Sequence, residues 1–185
     1  IQTRRLLLRQ WQPSDFPLSA ELCADSEVMK YFPSTLSRAE SDDFVARIQG
    51  LIAERGWGLW AVEVPGVSDF IGFVGLHVPK DYLPFSPCVE IGWRLAKTDW
   101  SKGYASEAAK AALDYAFTGL QLDEVLSFTS VTNLPSAAVM KRIGMTNTGS
   151  NFMHPDIESN APLCEHVLYR INRADWEHAK TLPST

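Results

Sequence analysis

The sequence has few cysteines, and their spacing does not favour pairing. Its 185 residues include three, Cys23, Cys88 and Cys164, which are odd in number, far apart and form no C-x-x-C pair. Neither a disulfide framework nor a zinc site follows from this spacing, and we expect no bound metal. Unpaired cysteines indicate a reducing compartment, so we expect a cytoplasmic location.

Long apolar runs and a strong charge of one sign are also missing. No apolar run approaches the roughly 20 residues that a membrane-spanning helix needs, and residues 1–9 lack a signal-peptide cleavage pattern. The net charge of −5 argues against binding nucleic acid through a broad basic face. We therefore expect neither a membrane nor a nucleic-acid partner, and the sequence leaves monomer and homodimer open.

The sequence does have the composition of a globular domain. Hydrophobic residues make up 45% of it and charged residues 21%, a balance typical of folded chains. A length of 185 residues is enough to bury a substantial core. No linker or repeat divides the chain, so we expect a single domain over residues 1–185.

Apolar periodicity and turn residues predict a mixture of strands and helices. Ser37 and Glu40 form a capping box that begins a helix, and Gly56 ends that helix. Pro65-Gly66 separates two β-rich runs and predicts a hairpin. The predicted strands are 4–11, 58–64, 69–78, 90–95, 124–131, 145–153 and 163–171, and the predicted helices are 13–24, 38–55, 104–117 and 134–143.

The stretch from residue 90 to residue 109 combines an apolar strand, a turn with one glycine and an alanine-rich helix. The turn 101–104 precedes the helix N-terminus, where backbone N–H groups lack partners and the helix dipole favours an anion. Gly103 lets a phosphate approach the main chain, and Lys102 adds positive charge. A plain strand-to-helix connection has the same pattern, so these residues alone leave both interpretations open.

Two well-known phosphate loops are excluded, because the chain has neither G-x-x-x-x-G-K-[ST] nor G-x-G-x-x-G after a strand. Residues 100–108, W-S-K-G-Y-A-S-E-A, resemble the loop of the GNAT acetyltransferases, Q/R-x-x-G-x-G/A, with Gly103 and Ala105 at its last two defined positions. Trp100 replaces the usual Gln or Arg, as in the RimJ/RimL-like branch, whose loops are similar to W-G-K-G-Y-A-T-E-A. Ser101 and Ser106 depart from that branch pattern.

Two further segments extend the resemblance over nearly the whole chain. Residues 3–9 resemble the family's opening T-x-R-L-x-L-R, and residues 133–145 resemble its segment beginning N-x-x-S-x-x-V. The resemblance implies an α/β (α+β) GNAT fold, with a mixed, mostly antiparallel central sheet flanked by helices. It also implies that the fourth and fifth strands splay apart.

The function that this resemblance implies is acetyl-CoA-dependent N-acetyl transfer. The acetyl group would pass directly from acetyl-CoA to a primary amine of a small molecule or a protein N-terminus. A non-catalytic CoA-binding module, acting as a sensor or partner protein, is the alternative. An unrelated nucleotide-phosphate binder is a third possibility, and the loop motif alone does not separate the first two.

The resemblance also assigns residues to the cofactor. The main chain of residues 93–95 would meet the pantetheine arm between the splayed strands, and the pyrophosphate would lie over residues 101–105. Asn133 is a helix N-cap that needs no ligand, and its match to the family segment implies that it also faces the cofactor. The implied cofactor-binding residues are Trp93, Arg94, Leu95, Trp100, Ser101, Lys102, Gly103, Tyr104, Ala105 and Asn133.

Acetyl transfer needs a base for the ammonium group, and the leaving thiolate needs a proton. Glu90 begins the central strand, near the glutamate that some relatives use, and is the candidate base; a structural carboxylate is the competing interpretation. Met140 stands where family members often have a tyrosine acid. Ser136, one turn earlier, is the nearest hydroxyl and the substitute candidate. A backbone N–H of the central strand would hold the oxyanion.

Four further side chains are candidates to line the acceptor pocket, which the fold would place between the early helices and the final hairpin. Residues of these types occur more often as structural residues at surfaces and edges. The candidates are His77, Tyr82, His154 and His166.

Overall fold

The first unit of the chain begins with three antiparallel strands and two helices, in the order that the sequence predicts. The computed structural model describes residues 1–181, which divide into two compact units, residues 1–77 with 92–112 and residues 78–91 with 113–181. The elements before residue 78 are β1 (Leu7–Arg9), α1 (Asp15–Ala24), α2 (Arg38–Arg55), β2 (Leu59–Val64) and β3 (Ser68–His77).

Local signals set the ends of these elements. The Ser37 backbone N–H donates to the Glu40 carboxylate at 2.7 Å, and the Glu40 N–H donates back to the Ser37 hydroxyl at 3.3 Å. Gly56, with φ of +80°, ends α2 in the left-handed conformation. The predicted capping box is therefore confirmed. The antiparallel pairing of β2 with β3 confirms the predicted hairpin.

Gly72 in β3 allows this strand to approach the main chain of the central strand. Its φ is +130°, and a Cβ placed there would lie 2.1 Å from the carbonyl oxygen of Arg94. We expect Gly72→Ala to lower the free energy of unfolding by roughly 3 kcal/mol, because the methyl group meets backbone that has no room to move. Urea unfolding measures this change.

The matched control for this prediction is Gly50→Ala. Gly50 lies in α2, and a Cβ there meets nothing within 4 Å. This variant should gain about 0.5–1 kcal/mol of stability from helix propensity. Equal effects of the two alanines would contradict the predicted close approach.

The remaining elements complete a mixed, mostly antiparallel sheet. They are β4 (Glu90–Leu95), a 3-10 turn (Lys97–Asp99), α3 (Tyr104–Asp114) running into a π-helical turn (Tyr115–Gly119), β5 (Glu124–Ser130), α4 (Leu134–Arg142), β6 (Thr146–Asn147), β7 (Phe152–Met153), β8 (Glu165–Asn172) and α5 (Arg173–Thr181). Through the described chain the strand order is β1-β2-β3-β4-β5-β8-β6, with β7 also paired to β8. The β4–β5 pairing is parallel, whereas the other pairings described are antiparallel.

The C-terminal half of the chain differs from the prediction in two places. Predicted strand 145–153 is two short strands, β6 and β7, because residues 148–151 turn between them and Gly149 has φ of +74°. Helix α5 was not predicted; the Asn172 side chain accepts a 2.8 Å hydrogen bond from the Asp175 N–H and caps it. The alanine-rich face of α3 is buried, as its spacing predicts.

No helix within residues 1–181 is long and apolar enough to cross a membrane. Over the same residues, no group of three or more His, Cys, Asp or Glu side chains is arranged to hold a metal ion.

Candidate functional site

The turn before α3 presents a row of backbone N–H groups. Ser101 has φ of +59° and Gly103 has φ of +80°, and left-handed residues within such a turn direct successive N–H groups to one side. Among residues 1–181, no acceptor receives a hydrogen bond from the N–H groups of residues 101–105. Within the described residues these donors are therefore not capped by protein groups, and an anion site at this turn stays a prediction.

Arg5 holds this turn in place, a role that sequence reasoning missed. Its Nε donates to Glu107 Oε2 at 2.6 Å, and its Nη1 donates to the carbonyl of Lys102 at 3.0 Å. The guanidinium also lies 4.7 Å from the Tyr104 ring centroid. Thr3 Oγ1 donates to the same glutamate at 2.7 Å. The sequence shows Arg5 in the opening motif and Glu107 in the first turn of α3. Their pairing could not be predicted, because about a hundred residues separate them.

Two other loop side chains have partners of their own. Lys102 Nζ lies 2.9 Å from Asp99 Oδ1, so this carboxylate offsets part of its positive charge. Trp100 Nε1 donates to the carbonyl of Leu95 at 2.8 Å. The carbonyl of Leu95 therefore already accepts one hydrogen bond from a protein group.

Glu90 occupies the buried start of β4. It pairs with Leu126 of β5, and the Leu126 N–H donates to the carbonyl of Val89 at 3.0 Å. The hydroxyl of Ser127 adds a 2.9 Å hydrogen bond to the carbonyl of Ile91. Burial raises the pKa of Glu90 well above its ordinary value, which makes it a stronger base than an exposed carboxylate once it is ionised.

Cys88, two residues before Glu90, is unsuited to nucleophilic chemistry. Burial and the nearby carboxylates of Glu90 and Glu124 raise its pKa to about 11. A thiol with this pKa is protonated at neutral pH, and the thiolate is the reactive form. The sequence interpretation, direct attack without a protein nucleophile, agrees with this chemistry.

The side chain of Asn133 caps α4, and both of its polar atoms have hydrogen-bond partners. Its Oδ1 accepts from the Ser136 N–H at 3.2 Å, and its Nδ2 donates to Thr129 Oγ1 at 2.9 Å. Ser136 is half-buried, whereas Met140 is buried in the core at 1% exposure. Met140 therefore acts as a packing residue, and Ser136 is the hydroxyl of this helix that solvent or a ligand can reach.

Two of the predicted pocket residues, His154 and His166, come together in an aromatic cluster in the second unit. Their ring centroids are 5.0 Å apart. Phe128 and Phe152 pack against both histidines, and Phe85 packs against these two phenylalanines. Burial lowers the pKa of both histidines. Tyr82, by contrast, is exposed and donates to the Asp156 carboxylate.

His77 belongs to the first unit and is largely buried there. The pKa of His77 is lowered to about 4; burial is the main cause, and the positive charge of Arg47 adds to the effect. The unfolded chain takes up this proton near pH 6.5 and the folded chain only near pH 4. Protonation of His77 therefore leaves the free energy of unfolding unchanged above about pH 6.5. As the pH falls toward 4, it lowers the free energy of unfolding by roughly 3 kcal/mol.

Urea unfolding at pH 7.5 and at pH 4.5 tests this dependence. The wild-type protein should lose more stability between the two pH values than His77→Gln, which has no proton to bind. An equal loss in the two proteins would rule out His77 as the source.

Comparison with known proteins identifies a family model and relatives that match this chain. Residues 5–146 match the family model described as "Acetyltransferase (GNAT) domain". The chain is 32% identical to an uncharacterised N-acetyltransferase, YnaD, of Bacillus subtilis, over 95% of this chain and 98% of that protein. It is 34% identical to the FsC-acetyl coenzyme A-N(2)-transacetylase of Aspergillus fumigatus, over 95% of this chain and 77% of that protein.

A solved structure agrees with these relatives. The GNAT-family acetyltransferase of Bacillus anthracis superposes with a TM-score of 0.79 at 29% identity, covering 94% of this chain and 98% of that one.

Proposed function

The chain belongs to the GNAT acetyltransferase family and is an acetyl-CoA-dependent N-acetyltransferase, and on that basis we propose roles for its residues. The GNAT fold expected from the sequence is confirmed, and acetyl-CoA is the acetyl donor. The proposal covers how the donor is held, which side chains move protons, and where the protein works.

The turn 101–105 binds the pyrophosphate of acetyl-CoA. Support comes from the unpaired N–H groups of these residues in the described chain and from the left-handed Ser101 and Gly103. A helix N-terminus adds favourable electrostatics, since its dipole is positive there. Trp100 borders the turn, and Arg5 keeps it in shape through the carbonyl of Lys102. These free donors are the observation that carries the proposal.

The main chain of Trp93 and Arg94 pairs with the amides of the pantetheine arm, as an added strand would. Leu95 contributes less, because its carbonyl already accepts from Trp100. A backbone N–H of Trp93 or Arg94 stabilises the oxyanion that forms on the thioester carbonyl. Asn133 contributes through the end of α4, since its side chain is occupied by the cap.

Glu90 is the base that removes the proton from the acceptor ammonium, directly or through water. Its buried position and raised pKa suit that role. Ser136 is the candidate donor to the leaving thiolate, because the buried Met140 carries no proton to give. A thiol has an ordinary pKa near 8.5, so this step needs little assistance.

We assign the chain to the RimJ/RimL-like branch, because W-S-K-G-Y-A-S-E-A is similar to the loops of that branch. We place the protein in the cytoplasm as a single catalytic domain, monomeric or homodimeric, with an amine acceptor and no nucleic-acid partner. Cys23, Cys88 and Cys164 are all free thiols, which supports a reducing compartment.

The test is binding and turnover with purified protein. Acetyl-CoA should bind by calorimetry, and a panel of amines should release free CoA at rates that depend on the amine. Tight binding without turnover of any amine would indicate a CoA-binding module. Binding of ATP in competition with acetyl-CoA would indicate a general nucleotide-phosphate site.

A further inference from the structure

Arg94 is an arginine that no carboxylate neutralises within the described chain. Its Nη1 donates to the thiol sulfur of Cys23 at 3.1 Å. Its Nε is buried and has no hydrogen-bond partner, and Nη2 donates to no protein atom in residues 1–181. Nε and Nη2 form one edge of the guanidinium, the fork that binds a carboxylate through two parallel hydrogen bonds. The edge suited to an anion is therefore the one left without an acceptor.

Arg9, in the same unit, is a partly buried arginine that does have carboxylate partners. Its guanidinium contacts Asp15 at 2.7 Å and Glu63 at 2.8 Å, and hydrogen bonding to Asp15 raises its pKa. The pKa of Arg94 is instead lowered, because burial dominates. A partly buried charge without a carboxylate partner costs free energy, so stability alone does not account for Arg94 at this position.

Three phenylalanine rings surround the Arg94 guanidinium. They are those of Phe32, Phe44 and Phe73, at 4.2, 5.6 and 5.2 Å from its Cζ. Cation–π attraction compensates part of the buried charge, but aromatic rings accept no in-plane hydrogen bond from the fork. Phe32 is 38% exposed and lies on the segment between α1 and α2, so it is the ring that an incoming ligand would displace.

We propose that Arg94 recognises the acceptor, and that the acceptor is an amine that also carries a carboxylate. The carboxylate would bind to the Nε and Nη2 edge of the guanidinium, with Phe32 moving aside and Cys23 keeping Nη1 in place. This assignment rests on the proposed function, because it is the main chain of Arg94 that is proposed to meet the acetyl donor. Side chains alternate along a strand, so Arg94 points to the opposite face from Trp93 and Leu95.

Matched acceptor pairs test the assignment. Each pair consists of an amine with a carboxylate and the same compound with a primary amide, for example 4-aminobutanoate with 4-aminobutanamide, glycine with glycinamide, and dipeptides with their C-terminal amides. In 4-aminobutanoate the two groups are well separated, so amidation changes the amine little. We expect the wild-type protein to prefer the carboxylate member of at least one pair about 10- to 100-fold in kcat/KM, mainly through KM.

Arg94→Met should abolish this preference, because methionine keeps the apolar packing but cannot donate two parallel hydrogen bonds to a carboxylate. Arg94→Lys should restore part of the preference. Arg47→Met is the matched control, since Arg47 is exposed on α2 and its guanidinium lies 5.7 Å from the Phe44 ring centroid; it should retain the preference. Thermal unfolding of the acetyl-CoA-bound variants confirms that each is folded.

The results separate this inference from the proposed function. If acetyl-CoA neither binds nor reacts, the proposed function is wrong. If amines react but carboxylate and amide members are used equally, or if the preference survives in Arg94→Met, the role of Arg94 is wrong. Failure of every carboxylate in the panel to react or to bind the CoA-loaded protein by calorimetry would likewise overturn it.

Discussion

Gly103→Asp is expected to weaken acetyl-CoA binding at least about 100-fold while the protein stays folded. The new carboxylate would stand beside the N–H groups proposed to hold the pyrophosphate. At about 4 Å, two like charges repel by on the order of 4 kcal/mol at an effective dielectric constant of 20, and each 1.4 kcal/mol changes Kd tenfold. Calorimetric titration with acetyl-CoA measures the loss.

The folded state should tolerate this substitution. A Cβ at Gly103 comes no closer than 3.4 Å to its neighbours, and the atom it meets is the flexible end of Arg5. Aspartate is among the residues that adopt a left-handed φ, and an acidic residue is favourable just before a helix. The free energy of unfolding should therefore change by about 1 kcal/mol or less.

Two matched variants separate charge from shape. Gly103→Asn has nearly the same size and tolerance of positive φ without the charge, and it should weaken binding only several-fold. Gly66→Asp places the same residue at a φ of +75° in the β2–β3 turn, where a Cβ meets nothing within 4 Å. It should bind acetyl-CoA normally. Equal affinities for Gly103→Asp and the wild-type protein would eliminate the turn as the phosphate site.

Some of the structural features behind these predictions can be predicted from the sequence, and others cannot. The capping box of α2, the β2–β3 hairpin and the buried face of α3 are local patterns, and the structure confirms each of them. The turn at 101–103 could also be predicted from the sequence, because its glycine and the following helix are adjacent in sequence. Periodicity and capping act over a few residues, so one sequence is enough to detect them.

Hydrogen-bond and packing partners from distant parts of the chain could not be predicted from the sequence. Arg5 reaches Glu107, and Arg94 lies against Cys23 and Phe32, because tertiary packing brings these residues together. The sequence assigned Arg94 to the cofactor through its main chain, and only the packed structure shows the unpaired edge of its side chain. The short strands β6 and β7 were merged for a similar reason, since each is defined by its pairing to β8.

Glu90→Gln should lower kcat about 100-fold or more with little change in the affinity for acetyl-CoA. Removal of a general base typically costs this much, and glutamine has nearly the same shape but accepts no proton. The wild-type kcat should fall as the pH drops through the raised pKa of Glu90, because only the ionised carboxylate is a base. The variant should lose that limb of the pH profile.

Stability distinguishes a chemical role for Glu90 from a structural one. Burial disfavours the charged form of this side chain, so at neutral pH the neutral glutamine should leave the free energy of unfolding unchanged or raise it. Glu124→Gln is the control, since Glu124 is an exposed carboxylate at the start of β5, paired with Arg170 at 3.9 Å; its kcat should match that of the wild-type protein. A folded Glu90→Gln protein with wild-type rates from pH 6 to pH 9 would exclude Glu90 as the base, and proton removal would then have to occur through solvent.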